Sequence, residues 1–514
     1  MTELIKVQNL ILSKEQIAWL LPYLIIAFGG MVSLIVGVAK SFPRNLTTYI
    51  TALLTLGAAL YSIHYTWGEP GITLFNKMLA ADNYSNFFNV ILILSTGLVV
   101  LASYPYLEKE NIHYPEYYSL FLFSCLGMML LVSALDLVVL FIALEIMSLG
   151  VYVLVGFRRA DVKSNEAAVK YFVLGSLASA ILLYGIALLY GATGTMNVTE
   201  ILNFVKTTPE HNTLFSLGAI LVLSGFLFKV AAAPFHMWIP DVYEGAPTTV
   251  TNFMTTGLKA AAFAAFVRVF LSLGYTQHID IVSNLQDANS PEFWFAARFH
   301  DVLWVIAALT MFLGNVIALT QNNIKRMLAY SSIAHSGYIL VGFLSSSSSE
   351  YGLSAILLYV VAYVVMNLGA FAIVALISEQ GDKRIDIEDF AGLGFKHPIL
   401  GFAMAVFMLS MAGIPPTAGF VGKYLVFSSA IQAGEIWLVV LGVLCSAISA
   451  YYYLRVLVFM YMREPARVVQ PSFPLPTLLT IGAMTIATLQ FGFFPSFLIE
   501  AAKKAVMGFS WTTI

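Results

Sequence analysis

Hydrophobic positions in this chain come as long unbroken runs, with polar residues confined to short stretches between them. Runs of about 20 apolar residues, the length that crosses a bilayer as a helix, occupy positions 19–39, 46–66, 84–104, 117–134, 136–156, 167–191, 214–233, 249–272, 302–320, 327–345, 353–378, 400–428, 436–461 and 476–499. The runs are too long for the roughly ten-residue alternation of a membrane barrel. The pattern therefore predicts an all-α polytopic membrane protein with about fourteen transmembrane helices. The first run ends at Ala39 with no small-residue cleavage pattern, and Lys6, Lys14 and Glu15 before it are mixed in sign, so it reads as a retained helix and not a signal peptide.

Composition agrees: of 514 residues 59% are hydrophobic and only 11% charged, unlike soluble domains. Cys125 and Cys445, the only cysteines, both lie inside apolar runs, too few for a disulfide framework or a metal cluster. The net charge of −2 and the lack of a basic stretch with interleaved aromatics give no sign of a nucleic-acid partner. The expected surroundings are the lipid bilayer and other membrane chains.

Loop charges supply an orientation. Lys6, Lys14, Lys77, Lys206, Arg298, Lys503 and Lys504 fall on the side of the N-terminus. Lys40, Arg44, Lys109, Arg158, Arg159, Lys163, Lys325, Arg326, Lys383, Arg384, Lys396, Arg463 and Arg467 fall on the other. The richer side is expected to face the cytoplasm. An even number of spans then leaves both termini outside.

VLVGF at Val153–Phe157 recurs as ILVGF at Ile339–Phe343, and Arg268-Val269 recurs as Arg455-Val456, at nearly the same offset. This predicts that spans four to eight (117–272) and nine to thirteen (302–461) are copies of a five-helix unit, preceded by helices one to three (1–116) and followed by a last helix (462–514). An odd helix count inverts one copy relative to the other, the plan of transporters with sites near the midplane. Each copy holds a proline-broken span, KVAAAPFH in one and AGIPPTAGFVGK in the other, and broken helices point to a transport site.

Four charges lie where an ordinary span has none: Glu145 in FIALEIMSL, Lys229 in FLFKVAAAPFH, Lys259 in TTGLKAAAF and Lys423 after the second break. A charge at the bilayer centre costs about 3 kcal/mol or more, so such residues are paired, hydrated and usually functional. The plainer alternative is a structural ion pair between helices. His236 and His335 are either relay groups or packing histidines. Arg268 and Arg455 lie near span ends and read as snorkelling, which for Lys170 is the lesser of its readings, and Asp241 and Glu244 read as solvated loop acids.

Lysine suits a proton relay because desolvation lowers the proton affinity of an ammonium group while a nearby carboxylate raises it. At an effective dielectric of about 20, a carboxylate about 7 Å away contributes about 2.4 kcal/mol, nearly two pKa units. Separating such a pair releases the proton, and a broken helix, whose freed backbone groups admit water, permits the movement.

The stretches LFKVAAAPFHMWIPDVYEGAPT, NNIKRMLAYSSIAHSGY and MAGIPPTAGFVGKYLVF resemble the signature stretches of the antiporter-like subunits of proton-pumping NADH:quinone oxidoreductase, respiratory complex I. The resemblance covers nearly the whole chain. It is closest to the subunit N branch: PFHMWIPDVYEGAP has that form, Lys423 stands where subunit M has glutamate, and the long lateral helix of subunit L does not follow the last span. What this implies is a proton-translocating subunit coupled to quinone reduction elsewhere in a translocase. Glu145 and Lys229 match the coupled pair, Lys259 the central relay lysine and Lys423 the terminal lysine, with His236 and His335 as bridging relay groups. The implied partners are subunit M and small membrane subunits in the bacterial inner membrane. No cofactor of its own, nicotinamide, flavin, iron–sulfur or quinone, and no metal is expected. A subunit of a multi-chain cation/proton antiporter is the nearest rival. A membrane cytochrome would need paired haem histidines, and the eight histidines are scattered. An inert scaffold would keep its function when the charges are removed.

Overall fold

The computed structural model describes residues 12–39, 43–207, 213–273, 291–346, 351–464 and 472–507. Lys6, Lys40, Arg467 and both chain ends, which enter the orientation argument, lie outside the described residues, as do the side chains of Lys206 and Arg298.

Among the described residues thirteen helices are long and apolar enough to span a membrane. In chain order the helices are α1 Lys14–Val38, α2 Arg44–Ser62, α3 Asn83–Glu110, α4 Glu116–Ser133, α5 Leu137–Val155, α6 Val162–Thr193, the short α7 Val198–Thr207, and α8 Thr213–Val230. There follow α9 Ile239–Gly245, α10 Thr248–Ser272, α11 Pro291–Ala318, α12 Ile324–Leu344 and α13 Gly352–Ile377. Last come α14 Pro398–Ala412, α15 Ala418–Gln432, α16 Ile436–Met462, α17 Leu475–Phe493 and α18 Ser496–Met507. The fourteenth expected span is the broken pair α14 and α15, each half too short to cross alone.

Polar residues at the ends of apolar runs fix where helices start. Asp82, Asp136, Asp161 and Asn323 each accept hydrogen bonds from backbone amides in the first turn of α3, α5, α6 and α12, satisfying donors that have no partner inside the helix. Helices α10 and α13 are buried along their whole apolar length, whereas only about a third of α1 and of α17 is buried. Exposed apolar side chains such as Phe28, Ile35 and Leu54 suit lipid or neighbouring membrane chains.

The bundle has two faces. One carries the antiparallel hairpin β1 Ile72–Leu74 and β2 Leu79–Ala81, to which the α4–α5 and α6–α7 connections are tied by Leu135 N–H to Met78 O and by Asn197 Nδ2 to Lys77 O. The other gathers the ends of α3, α5 and α13 and the starts of α10 and α12 around Asp382. The fourth span runs towards the hairpin face and the ninth away from it.

Two irregularities position the interior. Between α8 and α9 the chain leaves the helix at Ala231, whose φ is 60°. The freed Val230 carbonyl accepts from Ser336 Oγ at 2.7 Å and the Ala233 amide donates to Thr310 Oγ1 at 2.9 Å, so the break is held by α11 and α12. Within α10, Met254–Leu258 forms a wider π turn directly before Lys259, a feature that often marks functional positions.

Candidate functional site

The interior charges form a row across the bundle. On α5, Glu145 Oε1 is buried without a hydrogen-bond partner. One turn further Ser148 accepts from Lys229 Nζ at 2.9 Å, and Glu145 acts on that ammonium through space without contact. Lys229 sits in the last turn of α8, so its place depends on the break that follows. It shares the lining of a small cavity with Tyr171, Trp238, Tyr243 and Lys259.

Lys259 on α10 is fully enclosed and donates to both the carbonyl and the hydroxyl of Ser332 on α12. Ser332 Oγ lies 2.8 Å from Tyr363 OH. One turn along α12, His335 is within electrostatic reach of Lys259 and of Lys423. Its Nδ1 lies 2.7 Å from Tyr359 OH and its Nε2 3.2 Å from Tyr453 OH. Lys423, buried on α15, donates to Met411 O, Ala412 O and Ser446 Oγ at 3.0, 3.1 and 2.9 Å. Two of these acceptors are carbonyls that the break after α14 leaves free. Groups that donate and accept thus alternate with the cations from Glu145 to Lys423, as a proton relay requires.

His335 belongs to this row. His236 is half-buried in the turn after α8, beside the exposed Met237, and its Nδ1 has no hydrogen-bond partner among the described residues. Sequence reasoning missed Ser148, Ser332, Tyr359, Tyr363, Tyr453 and Ser446, all of which touch a row residue. The available signal was spacing. Ser148 follows Glu145 by three residues and Tyr363 follows Tyr359 by four, which puts each pair on one helix face.

Two other expectations are corrected, and Lys170 takes the alternative to snorkelling. Arg268 does not snorkel: it is buried and bonded to both Asp82 oxygens at 2.9 Å, to Val132 O and to Ser85 Oγ. Lys170 does not simply reach for the surface but joins Glu166 and Asp241. Asp241 and Glu244 are not free loop acids, since Arg326 bonds both and Lys163 bonds Glu244. This network clasps α9 between α6 and α12. On the same face Asp382, in the loop after α13, accepts from Lys325, Arg158, Tyr106 OH and the Thr248 amide. Burial alone would raise its carboxyl, but Lys325 and Arg158 hold it well below the usual carboxylate range.

Residues 134–285 and 289–449 match the family described as NADH:quinone oxidoreductase/Mrp antiporter, transmembrane. The chain is 44% identical over 491 residues to NADH-quinone oxidoreductase subunit N of Trichlorobacter lovleyi, covering 95% of this chain and 96% of the relative. It is 40% identical to subunit N of Paramagnetospirillum magneticum, over 94% and 96%. The chain belongs to the NADH-quinone oxidoreductase subunit N family. A chain of Thermus thermophilus respiratory complex I is similar to it at 36% identity and a TM-score of 0.77, covering 94% of this chain and 99% of that one. A chain of the Mrp complex from a Dietzia species reaches a TM-score of 0.81 at 22% identity, over 95% and 97%, a likeness of fold alone. As a subunit N family member, this chain is a multi-pass membrane protein with the antiporter-like fold.

Proposed function

We propose that this chain is a proton-translocating membrane subunit of NADH:quinone oxidoreductase. It relays protons or charge along Glu145, Lys229, Lys259, His335 and Lys423, driven by quinone reduction in other subunits. The observation that carries this reading is the alternation of interior lysines with hydroxyl and imidazole groups across the bundle, each lysine lying beside a break or a π turn. Lys229 is the switch, because among the described residues it is hydrogen-bonded to the neutral Ser148 while Glu145 sets its proton affinity from a distance. The chain holds no redox cofactor or metal of its own in this reading. It sits in the bacterial inner membrane with subunit M and small membrane subunits as neighbours. The face around Asp382 is cytoplasmic, and both termini lie outside. Residues 117–272 and 302–461 are related by a rotation of about 180° around an axis lying in the membrane plane.

Three variants test the mechanism. Lys229→Ala removes the titrating group, and we expect quinone reduction coupled to pumping to fall at least roughly a hundredfold, the scale of a lost proton-transfer group. Lys229→Arg keeps the charge but does not release its proton at working pH, so the complex should assemble and not turn over. Glu145→Gln should impair turnover as well. Assembly, quinone reduction and proton uptake are measured together, and a fully active Lys229→Arg complex would show that the charge is architectural.

A further inference from the structure

A cleft of about 1100 Å³ opens on the face around Asp382, away from the row just described. Five carboxylates line it: Asp161 and Glu244 are ion-paired, Asp386 is exposed, and Asp382 and Glu110 are in different states of use. Asp382 is saturated by Lys325, Arg158, Tyr106 and the Thr248 amide. Glu110, at the C-terminal end of α3, is 6% exposed, and only one oxygen is engaged in a hydrogen bond, accepting from the Gly381 amide at 2.8 Å. Its Oε1 has no partner. The charged groups acting on Glu110 are Asp382, Arg158 at 3.8 Å and Lys109. Lys109 is itself turned to the Ala375 and Ser378 carbonyls.

From the floor of this cleft a polar line runs inward on α10. Thr248 touches the Asp382 cluster through its amide, while its hydroxyl has no partner. Asn252 Oδ1 is likewise buried without a partner among the described residues, and Thr255 Oγ1 is buried with the Tyr243 hydroxyl beside it. Positions 248, 252, 255 and 259 are spaced by four, three and four residues, which keeps them on one side of a helix, and the line ends at Lys259. Tyr243, whose hydroxyl faces Thr255 and Ser332, joins the inner end of the line to the residue that holds Lys259. Buried polar atoms that the protein leaves unmatched are ordinarily met by water. Two such atoms on one helix face, followed by Thr255 and the Tyr243 hydroxyl, in a helix buried along its length, line up towards Lys259.

We propose that this cleft is the proton-uptake mouth for Lys259, with Glu110 as the group that collects the proton. Glu110, which lines the cleft, takes up a proton from it and passes the proton to water along Thr248, Asn252 and Thr255, returning to carboxylate. Asp382, committed to two cations, is a positioning residue that fixes Thr248 and Arg158 around it. The idea rests on Lys259 being a relay group.

The test uses the assembled complex in membrane vesicles, with quinone reduction and proton uptake normalised to assembled complex between pH 6 and pH 8.5. A carboxylate in a cleft raises the local supply of protons, an effect on uptake on the order of tenfold or more. Its removal should therefore matter most where protons are scarce. Glu110→Gln keeps an acceptor for the Gly381 amide. Its deficit should grow with pH, reaching roughly fivefold or more at the alkaline end, while Glu110→Asp retains most of the alkaline rate. A Glu110→Gln complex with an unchanged rate, or with a loss independent of pH, overturns the assignment. Thr255→Val removes one hydroxyl between the mouth and Lys259 and should slow turnover at every pH, and an unchanged rate there overturns the path even if Glu110→Gln fails to assemble. Lys259→Ala separates the two levels of the argument. If that variant turns over normally, the relay reading itself fails; if it is inactive while Glu110→Gln and Thr255→Val are silent, only the mouth is wrong.

Discussion

Asp382 shows what a single residue contributes that its sequence context hides. In EQGDKRID it reads as one more loop acid, because neighbouring charges in sequence suggest solvation and nothing nearby names Arg158 or Lys325. Arg268 misleads in the same way, since its partner Asp82 lies 186 residues away. By contrast Glu145, Lys229, Lys259 and Lys423 were legible at once, because a charge inside an apolar run needs no knowledge of its neighbours to look costly. For Asp382→Asn we expect a loss of about 3–5 kcal/mol, the usual cost of leaving a buried cation without its partner, read as earlier loss of this subunit from the complex on heating. The pH dependence follows from the depressed carboxyl. Its stabilisation is fully present above the unfolded value of about 3.9 and is lost as pH falls below that towards the folded value. Heat resistance should therefore not change on this account between pH 8 and pH 5. A wild-type complex that loosened in step with Asp382 protonation near pH 6 would contradict the geometry.

At the scale of elements, the spans were legible because twenty apolar residues with polar ends leave a helix little choice in lipid. Both proline breaks were visible too. What was not visible was the hairpin, whose three-residue strands are too short to show alternation, and the π turn before Lys259, which is a shift in hydrogen bonding with no composition of its own. The second break depends on a glycine as well as on its prolines. A Cβ on Gly419 would stand 1.9 Å from the Ser410 carbonyl oxygen, so α15 approaches α14 through that missing side chain and Lys423 is carried one turn beyond it. Gly419→Ala should push α15 outward at a cost of about 1–3 kcal/mol and lower turnover per assembled complex. Gly57, in α2, has open space around it, and Gly57→Ala should leave both quantities unchanged. Equal effects of the two substitutions would mean that the close approach has no bearing on Lys423.

Across the whole molecule the orientation argument gains a constraint that loop counting lacked. Arg159 follows α5 and Lys383 follows α13, far apart in sequence, yet both line the same cleft with Lys163 and Arg384. They must share one side of the membrane whatever that side is, and Lys77, in the hairpin turn tied to Asn197, must take the other. Concentrating so many cations on one face is what the positive-inside tendency would select for the cytoplasm. The same constraint bears on the repeat, because the fourth and ninth spans run in opposite directions, as inverted copies demand. An experimental structure of the assembled complex should superpose 117–272 on 302–461 with the two breaks coincident. Orientation has a direct chemical test. Cys125 and Cys445 are both buried, so the native chain gives little background with a membrane-impermeant thiol reagent, whereas Lys77, Arg159 and Lys383 are exposed. In intact cells with the outer membrane opened, Lys77→Cys should label, and Arg159→Cys and Lys383→Cys should label only after the inner membrane is breached. Labelling of the last two in intact cells, with Lys77→Cys silent, would invert the protein and place the Glu110 cleft on the side from which protons are released.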